Sequence, residues 1–360
     1  MCKVAIVILN WNGAEMMRRY LPSVIQCSQG NGVEVIVADN ASTDNSISLL
    51  QTEFPDIRII QLDKNYGFAD GYNRALHEVE ATYYVLLNSD VEIRQSQWLQ
   101  PMIDYMDTHP QVAACQPKLL KLQATPHGGG QNPLPLGEIR EKFEYAGAAG
   151  GFIDKYGYPY CRGRVFDTIE EDKGQYDDIA SVMWTTGAAM MVRSDIYWKA
   201  GGLDARFFAH MEEIDLCWRM RIMGYELVCI PQSSAFHLGG ATLNQGNPRK
   251  TFLNFRNNLL MLYKNLPDSK LTSVLRMRTL LDWVAAMQFL IKGDPQNMKA
   301  IFNAHKEFKQ LKPQYATIRQ QIQGYRTSVL QSETSEISLL WQYYVKGRKT
   351  YKALHLINNI

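Results

Sequence analysis

Four short polar clusters follow apolar runs in the N-terminal quarter of the chain: Asn10-Trp11-Asn12, Asp39-Asn40, Asn65 and Asn88-Ser89-Asp90. Polar clusters at strand ends mark a ligand site, and a carboxylate there can ligate a hard divalent cation, Mg2+ or Mn2+, bridging two phosphates. Further along, Glu212, Glu213 and Asp215 open a stretch that closes on Arg219, Arg221 and Gly224. A carboxylate held beside a bound phosphate ester suits the removal of a proton from an attacking hydroxyl. The same residue types also have plain structural uses. Acids favour a helix N-terminus, Asn73 can cap a turn, and N-x-D is common after strands. The missing motifs narrow the field: there is no G-x-G-x-x-G after the first apolar run, no Walker-type loop, no H-E-x-x-H and no G-x-S-x-G, so dinucleotide oxidoreductases, common NTPases, zincins and α/β-hydrolases lose support.

The elements that must carry these residues can be read from the pattern. Val4–Leu9, Val33–Ala38, Ile57–Leu62 and Tyr83–Leu87 are β-rich apolar runs, and Ala14–Cys27, Ser42–Gln51 (with Ser42 as N-cap) and Phe68–Val79 have helical periodicity. Such alternation predicts an α/β sheet covered on both faces, with the loops at the strands' carboxyl ends meeting in one crevice. From Ala124 to Asp178 the pattern dissolves into Pro, Gly and Tyr, including His127-Gly128-Gly129-Gly130. A stretch of this kind predicts a functional loop or lid, with residues 144–163 closing over the crevice. A strand over Val182–Val192, a helix over Glu212–Met223 and a strand over Glu226–Ile230 follow.

Composition fits a folded globular chain: 360 residues, 46% hydrophobic and 21% charged, with no fixed-period repeat. Six Cys without a C-x-x-C pair, and an opening that does not read as a signal peptide, predict a cytoplasmic protein with reduced thiols. The net charge of +2 conceals a split near Phe255. From Arg256 onward there are 16 Lys and Arg against 6 Asp and Glu, or +10, which leaves −8 for everything before. A basic, amphipathic helical tail predicts an anionic partner. No groove-reading or stacking module for nucleic acid is visible, so the membrane surface is the favoured one. No run of 18 apolar residues spans a bilayer, so the contact would be peripheral, at the inner face of the cytoplasmic membrane. A plain helical subdomain packed on the core or on a second copy of the chain is the competing reading.

Several segments, taken in order, resemble the inverting family 2 glycosyltransferases of the GT-A fold, particularly the rhamnosyltransferase-like members. They are Val4–Gly13, Val35–Ser46, Asn65–Ala75, Leu86–Val91, Thr186–Gly202, Leu203–Gly224, His237–Thr242 and Arg256-Asn257. The resemblance implies a mixed sheet flanked by helices over residues 1–255, divided into a nucleotide-binding half (1–118), a loop region (119–180) and an acceptor half (181–255), followed by a helical C-terminal extension over 256–360. It implies that Asn10, Asn12, Asp39 and Asn40 hold base and ribose, with Asn65, Gly67 and Asn73 as a second nucleotide element and Arg256 on the diphosphate. Asp90 would be the last acid of a D-x-D-like element, with Asn88 standing where the family has its first acid, and His237 would complete the metal site. Glu213 stands where the family's base, usually Asp, is expected, with Glu212 as its substitute, while Trp184, Thr186 and Gly187 fall on the acceptor side. The implied activity is transfer of one sugar, with rhamnose a candidate, from a dTDP- or UDP-sugar to a lipid-linked or saccharide acceptor in cell-surface polysaccharide synthesis. Three rivals stand beside it. A sugar-nucleotide nucleotidyltransferase would want a Gly-rich basic loop where this chain has Asn10-Trp11-Asn12-Gly13, a processive synthase would want a Q-x-x-R-W element, and an inactive nucleotide-sugar-binding subunit would fit the Asn88 and Glu213 departures.

Overall fold

The computed structural model describes residues 2–122, 141–239, 246–327 and 334–355. His127–Gly130 and Gly240–Thr242, singled out above, lie outside the described residues.

The chain opens with β1 (Cys2–Asn10), α1 (Ala14–Cys27), β2 (Val33–Asp39), α2 (Ser46–Glu53), β3 (Arg58–Gln61), α3 (Gly67–Leu76) and β4 (Ala81–Asn88). It continues with β5 (Val91–Glu92), α4 (Gln100–Thr108) and β6 (Val112–Lys121). β1 pairs in parallel with both β2 and β4, and β2 with β3. β1 shows why a parallel sheet forms here. Val4, Ile6 and Ile8 face one side, packing in a cluster with Met17, Leu21 and Val24 of α1 and Met102 and Met106 of α4. Ala5 and Val7 face the other side, sharing a cluster with Tyr72 and Leu76 of α3. A strand buried on both faces has no use for polar alternation, which is why its sequence is a continuous apolar run.

A small antiparallel sheet follows: β7 (Gly151–Ile153), β8 (Pro159–Cys161), β9 (Arg164–Val165) and β10 (Thr168–Ile169). The lid expectation is corrected for the described part of the stretch. Phe143, Ala148, Ala149, Ile153, Tyr160, Cys161 and Val165 are buried, so residues 143–165 are packed structure. The aromatic content that dissolved the strand pattern is core material. β11 (Ala180–Ser181), β12 (Ala189–Arg193), α5 (Ser194–Lys199), α6 (Glu212–Ile222) and β13 (Glu226–His237) complete the main sheet, whose order is β11-β13-β6-β12-β4-β1-β2-β3, with β5 pairing β13. β12 runs antiparallel to both β4 and β6, while β13 returns parallel to β6.

Two departures from the sequence expectation matter for the site. Helix α2 starts at Ser46 rather than Ser42, because the Ser42 hydroxyl donates to Asp39 Oδ1 at 2.6 Å and accepts from the Asn12 backbone N–H at 2.8 Å. β13 runs seven residues beyond Ile230. Its ladder with β6 jumps between Ile230 and Ser234, so Pro231–Ser233 loop out and the strand resumes as far as His237. A proline reads as a strand end in sequence, and the bulge absorbs it.

The C-terminal part is helical: α7 (Pro248–Asn265), α8 (Asp268–Ile291), α9 (Pro295–Leu311), α10 (Ala316–Gly324) and a short α11 (Tyr351–His355). The boundary at 255/256 falls inside α7, and Leu259–Tyr263 of that helix belong to the same buried cluster as Ala5, Val7 and Trp218. The chain then returns to the small sheet, where Leu339, Tyr343 and Leu354 pack on Tyr160 and Val165. Asp154 fastens this return by accepting from the Tyr156 and Tyr158 backbone N–H groups and, on its other oxygen, from that of Leu339 at 2.8 Å.

Candidate active site

The carboxyl ends of β1, β2 and β4 lie side by side, so their terminal residues meet. Asn10 and Asp39 are register partners, and Asn10 Nδ2 donates to Asp39 Oδ1 at 3.0 Å and to the Ser42 hydroxyl at 3.2 Å. Both residues are buried, and Asn10 Oδ1 has no hydrogen-bond partner among the described residues. An unpaired amide oxygen in such a place is costly unless something else supplies a donor. Asn12 Oδ1 accepts from Thr43 N at 2.6 Å, which folds the two strand-end loops onto each other. Ser89 lies beside them, its hydroxyl 3.9 Å from the point where a Cβ on Gly13 would sit.

Asn40, Asn65 and Gly67 form a second cluster. Asn40 Nδ2 donates to Gly67 O at 2.9 Å and to Asn65 Oδ1 at 3.2 Å, while Asn40 Oδ1 accepts from Tyr66 N at 2.9 Å. Gly67 has φ +75° and enters α3 with the Phe208 ring so near that a Cβ would lie 2.4 Å from its Cδ2. The close approach expected at this glycine is therefore to Phe208. Asn73, six residues on, donates to Leu203 O at 2.7 Å and accepts from the Tyr197 hydroxyl at 2.7 Å and Leu203 N at 3.0 Å, tying α3 to the segment before α6.

Asp90 sits just beyond β4, and the extension of β13 brings His237 to it, with Nε2 3.1 Å from Asp90 Oδ1 and 3.3 Å from Asn88 Nδ2. The other ring nitrogen lies 3.3 Å from Glu144 Oε1, so the imidazole is held between two buried carboxylates. Burial alone would push His237 down, but the hydrogen bond to Asp90 and the facing Glu144 carboxylate raise it to about 10. Burial likewise favours the neutral Asp90 carboxyl, and the facing imidazole outweighs it, holding Asp90 below the usual range. Glu144 was not singled out from sequence. It lies in a turn-rich stretch without periodicity, and only the fold brings it to His237.

Glu212 and Glu213 begin α6 beneath a strained turn in which Phe208, His210 and Met211 all have positive φ, 64°, 73° and 71°. Backbone in this region costs energy and persists only when surrounding contacts over-determine it. Here α7 supplies those contacts. Asn257 Nδ2 is shared among the carbonyls of Phe207, Ala209 and His210 at 2.8–2.9 Å, and Arg256 Nη2 donates to Arg206 O at 2.8 Å and Phe207 O at 3.1 Å. Arg256 Nη1 reaches Glu307 on α9 at 2.7 Å. The guanidinium expected on a diphosphate is thus buried as a brace for the turn that presents the two glutamates.

Asp215, the third acid, is fully committed: Arg219 Nε at 2.9 Å, Lys264 Nζ at 2.7 Å and Asn265 Nδ2 at 2.8 Å all donate to it. Glu212 and Glu213 differ, since one carboxylate oxygen of each is buried without a hydrogen-bond partner among the described residues. Burial raises both. Glu213 is pushed up to about 7, and Glu212, with the charge of Glu213 adding to burial, stands well above the ordinary carboxylate range. Nearby, burial and the charge of Lys250 hold His210 down to about 4.

The two halves of the site share one end of the sheet. Asn88 N donates to Ala188 O at 3.0 Å, and a Cβ on the preceding residue, Gly187, would lie 3.5 Å from Glu213 Cβ. Thr186 is buried next to Gly147, with its N–H on Gln116 Oε1 at 3.0 Å, and Trp184 is buried with Nε1 on Phe152 O at 2.9 Å, so these two line the core behind the crevice.

Residues 5–154 match the family model "Glycosyl transferase family 2". The chain is 22% identical over 247 residues to the N-acetylglucosaminyl-diphospho-decaprenol L-rhamnosyltransferase of Mycobacterium tuberculosis, a match covering 64% of this chain and 75% of that one. It is 23% identical over 237 residues to the O-antigen biosynthesis protein RfbC of Myxococcus xanthus, covering 65% of this chain but only 17% of that protein. Among solved structures, S. aureus TarS 1–349 in complex with UDP-GlcNAc superposes with TM-score 0.53 at 14% identity, covering 96% of this chain and 92% of that one. GalNAc-T7 with UDP, GalNAc and Mn2+ superposes with TM-score 0.55 at 11% identity, covering 73% of this chain, which spans about half of that one (48%). Residues 5–154 are thus similar to glycosyl transferase family 2, and the chain shares the GT-A fold of these solved structures.

Proposed function

We propose that the protein transfers a single sugar, with inversion, from a nucleotide-sugar donor to a lipid-linked or saccharide acceptor in cell-surface polysaccharide synthesis. The observation that carries this reading is the pair Glu212 and Glu213, each with one buried carboxylate oxygen that has no hydrogen-bond partner among the described residues, held by a strained turn at the end of the sheet where Asp90 and His237 stand. A carboxylate raised to about 7 is matched to taking a proton from a sugar hydroxyl near neutral pH. In this scheme Glu213 removes the acceptor proton as its oxygen attacks the anomeric carbon, and the nucleoside diphosphate leaves from the opposite face. Glu212, charged only with difficulty beside it, is the substitute base.

Asn10, Asp39 and Asn12 would take base and ribose, and the unpartnered Asn10 Oδ1 supports that use. Asn40, Asn65, Gly67 and Asn73 act by building the second wall, and Arg256 by bracing the turn before α6. For the cation, Asp90 and His237 offer one carboxylate oxygen and, once the cation displaces the proton shared with Asp90, one ring nitrogen, the two atoms 3.1 Å apart. Among the described residues no group of three His, Cys, Asp or Glu is placed to hold a metal. Two donors of this kind fit Mg2+ or Mn2+ whose other ligands come from the diphosphate and water. The cation would neutralise the leaving diphosphate.

The M. tuberculosis relative is named for L-rhamnose transfer to a decaprenol-linked acceptor, which supports rhamnose and a lipid-linked acceptor as first choices, with dTDP- and UDP-sugars as the donors to test. The sequence expectation of a cytoplasmic enzyme at the membrane's inner face is retained as part of this proposal, as is self-association.

The test is Glu213→Gln with nucleotide sugars screened by thermal shift and turnover, with and without Mn2+. The expected outcome is unchanged donor-dependent stabilisation and transfer reduced at least ~100-fold. Full turnover by Glu213→Gln, with Glu212→Gln inactive, would move the base to Glu212. Wild-type protein that binds donors but never transfers would identify a nucleotide-sugar-binding subunit instead.

A further inference from the structure

Helix α8 is built inside out. Its inward face repeats every fourth residue as Val274, Arg278, Asp282 and Ala286, all buried. Two of the four are charged. Arg278 Nε donates to Asp282 Oδ1 at 2.7 Å and Nη1 to Asn258 Oδ1 on α7 at 2.7 Å, while His305 on α9 lies 2.9 Å from Asp282 Oδ2. On the opposite side, Met277, Leu280, Val284, Met287 and Ile291 recur at alternating steps of three and four, all exposed, Leu280 by 56% and Ile291 by 80%. That spacing keeps one straight stripe about 21 Å long pointing away from the protein. No charged residue interrupts it, and Arg276 and Lys292 stand at its two ends. A helix in a water-soluble protein ordinarily puts such residues inward and its charges outward. Here the buried ion network fixes the helix so that the apolar side must face out.

The charge of the surrounding region selects the occupant. Residues 268–312, which hold α8 and the α9 packed on it, carry eight Lys and Arg against four Asp and Glu, or +4, so a second copy seated on this stripe would bring like charge against like. An anionic lipid surface would meet the stripe with hydrocarbon and the Lys and Arg around it with phosphate. We infer that α8 is the element by which this protein lies on an anionic membrane, with Leu280, Val284, Met287 and Ile291 entering the acyl boundary. No helix of the described residues is long and apolar enough to cross a membrane, and none is needed. The inference rests on the proposed function only in its choice of a membrane as the place where an acceptor would be met.

The experiment is co-sedimentation of the full chain with phosphatidylcholine vesicles, with and without phosphatidylglycerol, for wild type and for the doubly substituted Leu280→Glu/Met287→Glu and Leu280→Ser/Met287→Ser. Tm, nucleotide-sugar binding and sedimentation velocity without vesicles are measured alongside. The expected result is binding that requires phosphatidylglycerol and falls at least about tenfold in both variants at unchanged Tm and nucleotide binding. Equal binding by the variants, no binding by wild type, or binding indifferent to phosphatidylglycerol would overturn it. So would a wild-type dimer that the substitutions dissociate, which would assign the stripe to a second copy. Vesicle binding needs no turnover, so an enzyme that fails to transfer sugar would leave this inference intact. A variant that transfers to a soluble acceptor but ignores vesicles would support both.

Discussion

Glu213 and Glu144 are the two side chains on which the chemistry can be examined separately. Burial raises Glu213 to about 7, so the folded protein holds that proton over a range where the unfolded chain, near 4.5, has lost it. Two consequences have opposite signs. Transfer should rise with pH through about 7 as the base is freed, and the pH profile of kcat/KM reads this directly. Stability should fall over the same window, because the folded state binds more protons than the unfolded one between about 4.5 and 7. Glu213→Gln should therefore gain a few degrees of Tm over wild type at pH 8 and little at pH 5, as thermal melts at the two values will show. Glu144 bears on His237 instead. With one oxygen facing a ring nitrogen and the other accepting from Ala146 N, it fixes which way the imidazole faces Asp90. Glu144→Ala should weaken Mn2+ binding about 10- to 100-fold, read by the free-Mn2+ signal in electron paramagnetic resonance, with Glu144→Gln losing less. Legibility at this scale was uneven. Asn10, Asp39 and Asp90 could be found because each ends an apolar run. Glu144 lies in a segment with no period, so nothing local marked it. Arg256 was visible as a residue, but its geometry was not: a guanidinium that binds backbone carbonyls looks the same in sequence as one that binds phosphate.

At the level of elements, the notable division of labour is between α6, which carries the glutamates, and α7, which holds the turn before them. Asn257 gathers three carbonyls that the positive φ values of Phe208, His210 and Met211 leave without helical partners. Asn257→Ala should cost roughly 2–3 kcal/mol in denaturant unfolding, the penalty of buried acceptors left unpaired, and lower kcat/KM, since the turn both sets the glutamates and packs Phe208 on Gly67. The strands and helices of the first ninety residues were legible because a doubly covered parallel sheet has a simple pattern. β6 and the end of β13 were not, since Pro117 and Pro231 interrupt apolar runs in which the structure keeps pairing. Ser42 looked like a cap because capping and strand-end cross-linking use the same hydroxyl chemistry.

For the whole molecule, the charge split near Phe255 was correctly counted, but it marks no physical seam. α7 spans it, Asn258 Nδ2 bonds back across it to Gly157 O at 2.7 Å, and the chain's return buries Leu339 and Tyr343 against the small sheet. Removing residues 334–360 should therefore destabilise the protein by about 3–6 kcal/mol, measured by denaturant unfolding, although the segment is far from Glu213 in sequence. By the same reasoning, truncation is a poor probe of membrane binding here, and point substitutions on α8 are the cleaner one. The outlooped Pro231–Ser233 in β13 has a further consequence. These residues sit outside the ladder, so one amino acid added there is absorbed as slack. One added between Ser234 and His237 reverses the up-and-down order of the last side chains and turns the imidazole to the wrong side of the sheet. The strand thus has a tolerant joint immediately before an intolerant tip, and insertion scanning should show the two behaviours within seven residues of each other.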